Sequence, residues 1–323
     1  MALQDRRMTS FPTDYLVQRE GIALAVREFG GTGPAMLYLP GSGRSSIDAS
    51  LLAPSLTRNY RLLGMDLRGH GRSGDGPWSF EAVLDDVRAV IAQLGLERPV
   101  IIGHSLGGMI AAMLAETGEC AAAINLDGHG SGTPDLYDRM SIEEVTRIRD
   151  QVTAMTKSRL GESKVIAPEN AAELRSAMVS ASKALGFNDS LAEQRIERAV
   201  TILEDGSAAL RPSREVTMAI LDEHVGLDLM DLYTRTTVPL LVYNAIGPMD
   251  VSPEAPDGLA EYVAAFRRGL TKALQSLAAT HPLVSVEIVV ATHDLHLEHP
   301  ELIASQVTAW LERCGSTGAL QSG

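Results

Sequence analysis

The residues best suited to covalent chemistry are Gly103-His104-Ser105-Leu106-Gly107, followed by a further glycine, Gly108. A G-x-S-x-G run between a strand-like and a helix-like segment describes a sharp turn that lifts a serine hydroxyl off a sheet edge. Small residues on either side let neighbouring chain pass closely, and the helix that starts there points unpaired N–H groups at the reaction centre. A serine hydroxyl is a weak nucleophile until a base takes its proton. Three of the eight histidines lie in Thr292-His293-Asp294-Leu295-His296-Leu297-Glu298-His299-Pro300-Glu301. Their spacing of three also fits a metal site, but no cysteine or second carboxylate cluster accompanies them, so neither a metal nor another cofactor is expected. The base needs an acid to fix its tautomer and stabilise its imidazolium form. Asp127, after the run Ala121–Leu126, and Asp250, in Gly247-Pro248-Met249-Asp250, are the candidates. Gly41-Ser42-Gly43 is not a phosphate loop, because no G-K-[ST] follows it.

These side chains need a scaffold, and the first part of the chain alternates strand and helix patterns. Strands are predicted at Tyr15–Arg19, Ile22–Glu28, Ala35–Leu39, Tyr60–Met65, Pro99–Ile102 and Ala121–Leu126, and helices at Ile47–Leu56, Phe80–Leu94 and Ser105–Glu116. From Gly128 to Arg235 no segment reads as a buried strand. Helical runs lie at Ser141–Arg159, Asn170–Leu185, Ser190–Leu203 and Ser213–His224. Strand pattern returns at Val238–Tyr243 and Val284–Val290, with helices at Pro256–Ala279 and Pro300–Arg313. The expected fold is α/β: a mostly parallel sheet of about eight strands wrapped by helices, with a helical cap after the sixth strand. Residues 1–127 and 236–314 form the core, 128–235 the lid, and the Ser/Gly-rich tail 315–323 is expected to be disordered.

In this order the motifs resemble the α/β-hydrolase superfamily over nearly the whole chain. Asp66-Leu67-Arg68-Gly69-His70-Gly71-Arg72-Ser73 resembles the superfamily's turn after its fourth strand, thirty-two residues ahead of Ser105; His70 there is given a structural part. The resemblance implies a base histidine after the last strand and an E-x-P-E turn opening the final helix. His293, five residues before Glu298, matches it, with His296 and His299 as rivals; His296 is expected on a wall or facing solvent. The acid usually follows the later strand, where Asp250 falls two residues late. A minority, including haloalkane-dehalogenase-like and some lactonase-like members, keeps it after the earlier strand, where Asp127-Gly128 sits without a gap. Asp127 is preferred and Asp250 stays the alternative. Oxyanion donors are implied at the backbone N–H of Leu106 and of Ser42, in a loop where Pro40 replaces the usual histidine and Gly41 allows close approach. Gly41 and His104 are expected to face the substrate, and so are Met140, Met155 and Met218, because the lid offers only Tyr137, Phe187 and Tyr233 as aromatics.

Composition narrows the class. The 323 residues carry a net charge of −13, which argues against a general binder of nucleic acid or anionic membranes. Two cysteines cannot build a disulfide framework, and no apolar run approaches the ~20 residues of a membrane span. A cytoplasmic protein is expected, with a small-molecule partner and homo-oligomerisation left open. The most direct function is a serine hydrolase that cleaves a carboxylic ester or lactone of a bulky, largely apolar substrate through an acyl-enzyme. A serine rather than aspartate nucleophile argues against alkyl-halide and epoxide chemistry. The alternative is a non-hydrolytic protein on the same fold, a cofactor-free lyase or cyclase or a ligand receptor. Steady-state ester hydrolysis separates the two acids: Asp127→Asn is expected to slow turnover strongly and Asp250→Asn to leave it nearly unaltered, and the reverse result transfers the role to Asp250.

Overall fold

The computed structural model describes residues 12–159, 165–224, 227–248 and 256–316. Asp250 and residues 317–323 of the tail lie outside the described residues. Strands β1 (Thr13–Arg19) and β2 (Ile22–Gly30) form a hairpin whose two turn residues, Glu20 and Gly21, both have positive φ, the tight geometry that suits the twist of paired strands. The chain continues through β3 (Ala35–Leu39), β4 (Arg61–Met65), β5 (Val100–His104) and β6 (Ala122–Leu126). After a long insert come β10 (Leu240–Ala245) and β11 (Val284–Val289), where β7 (Val165–Ile166), β8 (Val200–Ile202) and β9 (Ala208–Leu210) belong to the insert.

Eight strands form one sheet in the order β1-β2-β4-β3-β5-β6-β10-β11. The first three pair antiparallel and the rest parallel. Strands β5, β6 and β10 are buried at every residue, which explains why they read as unbroken apolar runs rather than alternating ones. Successive residues still point to opposite faces: Leu37, Ile101 and Val242 enter one apolar layer, and Tyr38, Ile102 and Tyr243 the other. The first layer packs on the helices Phe80–Gln93, Leu106–Thr117 and Leu259–Thr280, and the second on Pro300–Ser316 through Ile303, Val307 and Trp310.

After β3 the chain crosses to β4 on one side, and after β5 to β6 on the other, so their C-terminal ends open a crevice of the kind where parallel sheets bind ligands. Register aligns this edge: His104 is paired with Leu126, and Leu126 with Tyr243. The loops after β5, β6 and β10 therefore leave the sheet side by side.

The insert holds the helices Ile142–Arg159, Pro168–Ala184, Asp189–Ala199, Arg214–His224 and Leu229–Thr234, together with a small antiparallel sheet β7-β9-β8. That sheet corrects the expectation of a helix through Leu203. The helix stops at Ala199 because the β-branched run Val200-Thr201-Ile202 pairs with β9 across the Asp205-Gly206 turn. Asp189–Ala199 also fastens the insert to the core. Arg195 Nε reaches Asp48 at 2.9 Å and Arg198 Nη1 reaches Asp66 at 2.6 Å, three residues apart on one helix face. Asp66 is fully buried, and its carboxylate also accepts the N–H of Ser46 and of Arg72. Among the described residues no helix is long and apolar enough to cross a membrane. Removing one partner of a buried ion pair leaves an uncompensated charge, so Arg198→Ala is expected to lower the unfolding free energy by about 3 kcal/mol, read from urea denaturation.

Candidate active site

Ser105 follows directly on β5 and has φ 52 and ψ −116, a conformation that costs a non-glycine residue energy unless its surroundings enforce it. The surroundings leave no room for anything else. A Cβ on Gly103 would stand 2.0 Å from the Gly107 carbonyl oxygen, one on Gly107 would stand 2.1 Å from that of Leu39, and one on Gly108 would meet Asn125 Oδ1 at 2.2 Å. The motif's glycines are thus steric requirements of a helix packed against its own strand and against the ends of β3 and β6. Gly41 abuts Ser105, because its Cβ would lie 3.1 Å from Ser105 Cβ. Ser42 follows at an exposed turn position, and Leu106 opens the helix, where the first N–H groups have no intrahelical partner.

His293 and Asp127 meet from opposite loops. His293 Nδ1 lies 2.7 Å from Asp127 Oδ2, and since a carboxylate only accepts, the imidazole donates from Nδ1. In the neutral ring this leaves Nε2 as the proton acceptor. Asp127 has φ 58, and its Oδ1 accepts the N–H of Ala245 at 2.8 Å. Gly128 behind it has no space for a side chain, since a Cβ would fall 2.1 Å from the Ser105 carbonyl oxygen. His129 was not singled out from the sequence. It donates from Nε2 to the Tyr243 carbonyl and stands 3.5 Å from Asp127 Oδ1, with burial holding it below the ordinary imidazole range. Thr292, next to the base, gives both its N–H and its hydroxyl to Glu298, which closes the loop onto the single-turn helix Leu295–Glu298.

Two further histidines lie beneath the base. His104, expected to face the substrate, is 2% exposed and donates from Nε2 to the His293 carbonyl at 2.9 Å. It is still a strand residue, so its side chain lies against the sheet, whereas Ser105 stands on the edge. His296, expected on a wall or in solvent, is fully buried with Nε2 3.1 Å from the Tyr38 hydroxyl. The ring centroids step from His293 to His104 at 4.7 Å and from His104 to His296 at 4.3 Å. Burial, reinforced by the neighbouring His293, pushes His104 down to about 3. Burial likewise holds His296 well below the imidazole range. His299 is exposed beside the final helix, and His70 is buried with Nδ1 donating to the Arg68 carbonyl at 3.0 Å.

Ser105, Asp127 and His293 open onto one cavity of about 470 Å³. Its wall departs from the methionine-lined pocket expected. Met140, Met155 and Met218 are half-buried but do not line it, and Met109 from the core does. Met140 packs instead beside Tyr137, Val145 and Ile148. The rings of Tyr137, Tyr262 and Phe266 take their place, although aromatics are only 4% of the chain. Tyr262 and Phe266 come from the core helix Leu259–Thr280, where helical spacing identifies buried positions without saying what they face. The Tyr137 hydroxyl bonds that of Tyr262 at 2.7 Å, joining insert to core across the cavity. Asn244, His224 and Arg267, none of them singled out from the sequence, supply further polar lining. Among the described residues no group of three His, Cys, Asp or Glu side chains is placed to hold a metal ion. A serine, a histidine paired with a carboxylate, and helix-opening N–H groups together have the parts needed for nucleophilic acyl transfer.

Known proteins resemble this chain in sequence and in fold. The sequence profile of the Alpha/beta hydrolase family matches residues 36–306. A serine hydrolase-like protein of Danio rerio is 26% identical over 287 residues, covering 87% of this chain and 82% of that one. N-formylmaleamate deformylase of Pseudomonas putida is 31% identical over 114 residues, a match spanning 34% of this chain and 42% of the deformylase. The crystal structure of E-2-(acetamidomethylene)succinate hydrolase superposes with a TM-score of 0.66 at 19% identity, covering 93% of this chain and 99% of that one; this likeness is one of fold.

The buried imidazoles carry a pH signature. An unfolded chain protonates His104 near 6.5, whereas the folded chain does so only near 3. Between these values unfolding takes up a proton, so its contribution to stability is present above the unfolded pKa and is lost as pH falls. His104→Gln removes the titration and is expected to reduce the slope of unfolding free energy between pH 6 and 4 by about 1.4 kcal/mol per pH unit, measured by denaturant titration.

Proposed function

The chain belongs to the alpha/beta hydrolase family, and on that premise we propose that it is a serine hydrolase cleaving a carboxylic ester or lactone through an acyl-enzyme. The observation that carries this reading is the 2.7 Å contact of His293 Nδ1 with Asp127, on the cavity that Ser105 also lines. Ser105 Oγ attacks the substrate carbonyl while His293 Nε2 takes its proton, and Asp127 stabilises the resulting imidazolium through Nδ1–H. The Leu106 and Ser42 N–H groups receive the negative charge that develops on the carbonyl oxygen. His293 returns the proton to the leaving oxygen, and a water then repeats the sequence to release the acid.

Residues 128–235 act as the lid of this site, and its aromatic wall suits a bulky acyl or lactone group. His104 acts by holding the His293 backbone, and Gly41 by admitting the carbonyl oxygen close to Ser42. The partner is a small molecule, and a reducing, cytoplasmic setting fits the two free cysteines, Cys120 and Cys314.

A fluorophosphonate probe and a panel of esters and lactones test the reading. Wild-type protein is expected to label once and to turn over members of the panel, and Ser105→Ala to lose both. A wild-type protein that neither labels nor hydrolyses any member, or a Ser105→Ala variant that keeps its turnover, overturns it.

A further inference from the structure

The polar lining of the cavity has one unusual member. Val263, Arg267 and Leu270 follow each other at helical spacing along the face of Leu259–Thr280 turned to the cavity, with Phe266 beside them. Arg267 therefore occupies a position where the pattern calls for an apolar side chain. Among the described lining residues it is the one Arg or Lys. Its sole hydrogen bond within the described residues runs from Nη1 to the Gly247 carbonyl at 2.6 Å, and no carboxylate of the described residues pairs with it. Its neighbour Arg268, one place on and turned outward, bonds both Asp138 and Glu261. The contrast is between an arginine paired with two acids and a cavity-lining one with no acid partner among the described residues.

Nothing else on the described wall answers that charge. Asp127 is the one acid among the lining residues, and its two oxygens are engaged by His293 and by the Ala245 N–H. His129 and His224 are pushed towards the neutral form by burial. A guanidinium stays charged at any ordinary pH and presents five N–H donors in a planar fork matched to a carboxylate. Holding such a charge in a cavity with an aromatic and aliphatic wall is costly until an anion pairs with it. The chain as a whole carries −13, so its overall field disfavours anions, and the attraction has to be local.

We propose that Arg267 is a specificity-determining residue that binds a carboxylate of the substrate, so that the preferred ester or lactone is an acid carrying a free carboxylate apart from the reacting carbonyl. This deepens the reading of the site as a serine esterase and rests on it. The carboxylate belongs either to the acyl half, as in the monoester of a dicarboxylic acid, or to the leaving half, as in an acylated hydroxy acid. The fork of Arg267 reads both in the same way.

The test compares two pairs of esters of matched size: monomethyl with dimethyl glutarate, and an acetylated hydroxy acid with its methyl ester. Wild-type protein is expected to favour the free acid over its neutral counterpart in kcat/KM, and the pair that shows the preference identifies the half that carries the charge. In Arg267→Met the ratio of kcat/KM for acid over neutral ester is expected to fall about 10- to 100-fold, the worth of a charge-assisted bond, with the loss mainly in KM. Arg267→Lys, which keeps the charge without the fork, is expected to recover part of the ratio. Should Arg267→Met fail to fold, Arg267→Lys and competition by free glutarate against neutral-ester turnover in the wild type still give a reading. Absence of a wild-type preference for either acid, or a ratio unmoved by the substitutions because both esters slow alike, overturns the proposal and leaves Arg267 a tie for the Gly247 loop. Failure of every ester, neutral ones included, is a different result and counts against the serine-esterase reading itself.

Discussion

Ser105 turns the backbone from β5 into a helix at φ 52, and the turn persists because the chain around it has no other way to fit. Gly103 and Gly107 let strand and helix touch, Gly107 also takes in the end of β3, and Gly128 brings the loop after β6 against the Ser105 carbonyl. Three strand ends are thereby drawn to within contact of one residue. The strain at Ser105 is offset by packing that a single added methyl group would break. Every other distance in the site depends on this closeness. Asp127 leaves β6 just ahead of Gly128, and the loop after β3 passes Ser105 through Gly41.

The base is held from below as well as from the side. His293 is exposed enough to reach a substrate, yet its carbonyl is fixed by His104, which in turn stacks on His296 above Tyr38. Burial keeps these two rings neutral, so they add hydrogen bonds and bulk without adding positive charge under the His293 imidazole. Asp127 accepts from His293 at this point, and its remaining oxygen is taken up by the backbone of β10.

The insert and the core both line the cavity. Tyr137 comes from the insert, and Tyr262 and Phe266 from the core helix that also carries Arg267. The insert reaches the core through Arg195 and Arg198, whose partners are Asp48, in the short 3-10 helix Ser46–Leu51 after β3, and Asp66, just after β4. The same carboxylate of Asp66 that shapes the glycine-rich turn thus also receives the insert, linking the position of the roof to that of the floor.

The sequence by itself determined the eight strands of the sheet, the serine at the turn and the interruption after β6, because each is written locally. Buried parallel strands are short apolar runs, and a turn this tight needs glycines at set intervals. A pattern with two meanings is not resolved locally. Val200-Thr201-Ile202 continues a helical period but also pairs as an edge strand, and the Asp205-Gly206 turn decides for pairing. His104 adjoins Ser105 in sequence, although adjacent residues of a strand point opposite ways, and Met140 belongs to an insert poor in aromatics, although it packs beside Tyr137, Val145 and Ile148. Tyr262, Phe266 and Arg267 were legible as a helix and not as a wall, since periodicity gives a face and leaves its partner open. Asp127 and Asp250 each follow a strand, and nothing local ranks them by distance to a histidine more than forty residues further on. Only the lateral order β5-β6-β10-β11 brings Asp127 to 2.7 Å from His293, because strand order is set by packing between segments far apart in the chain.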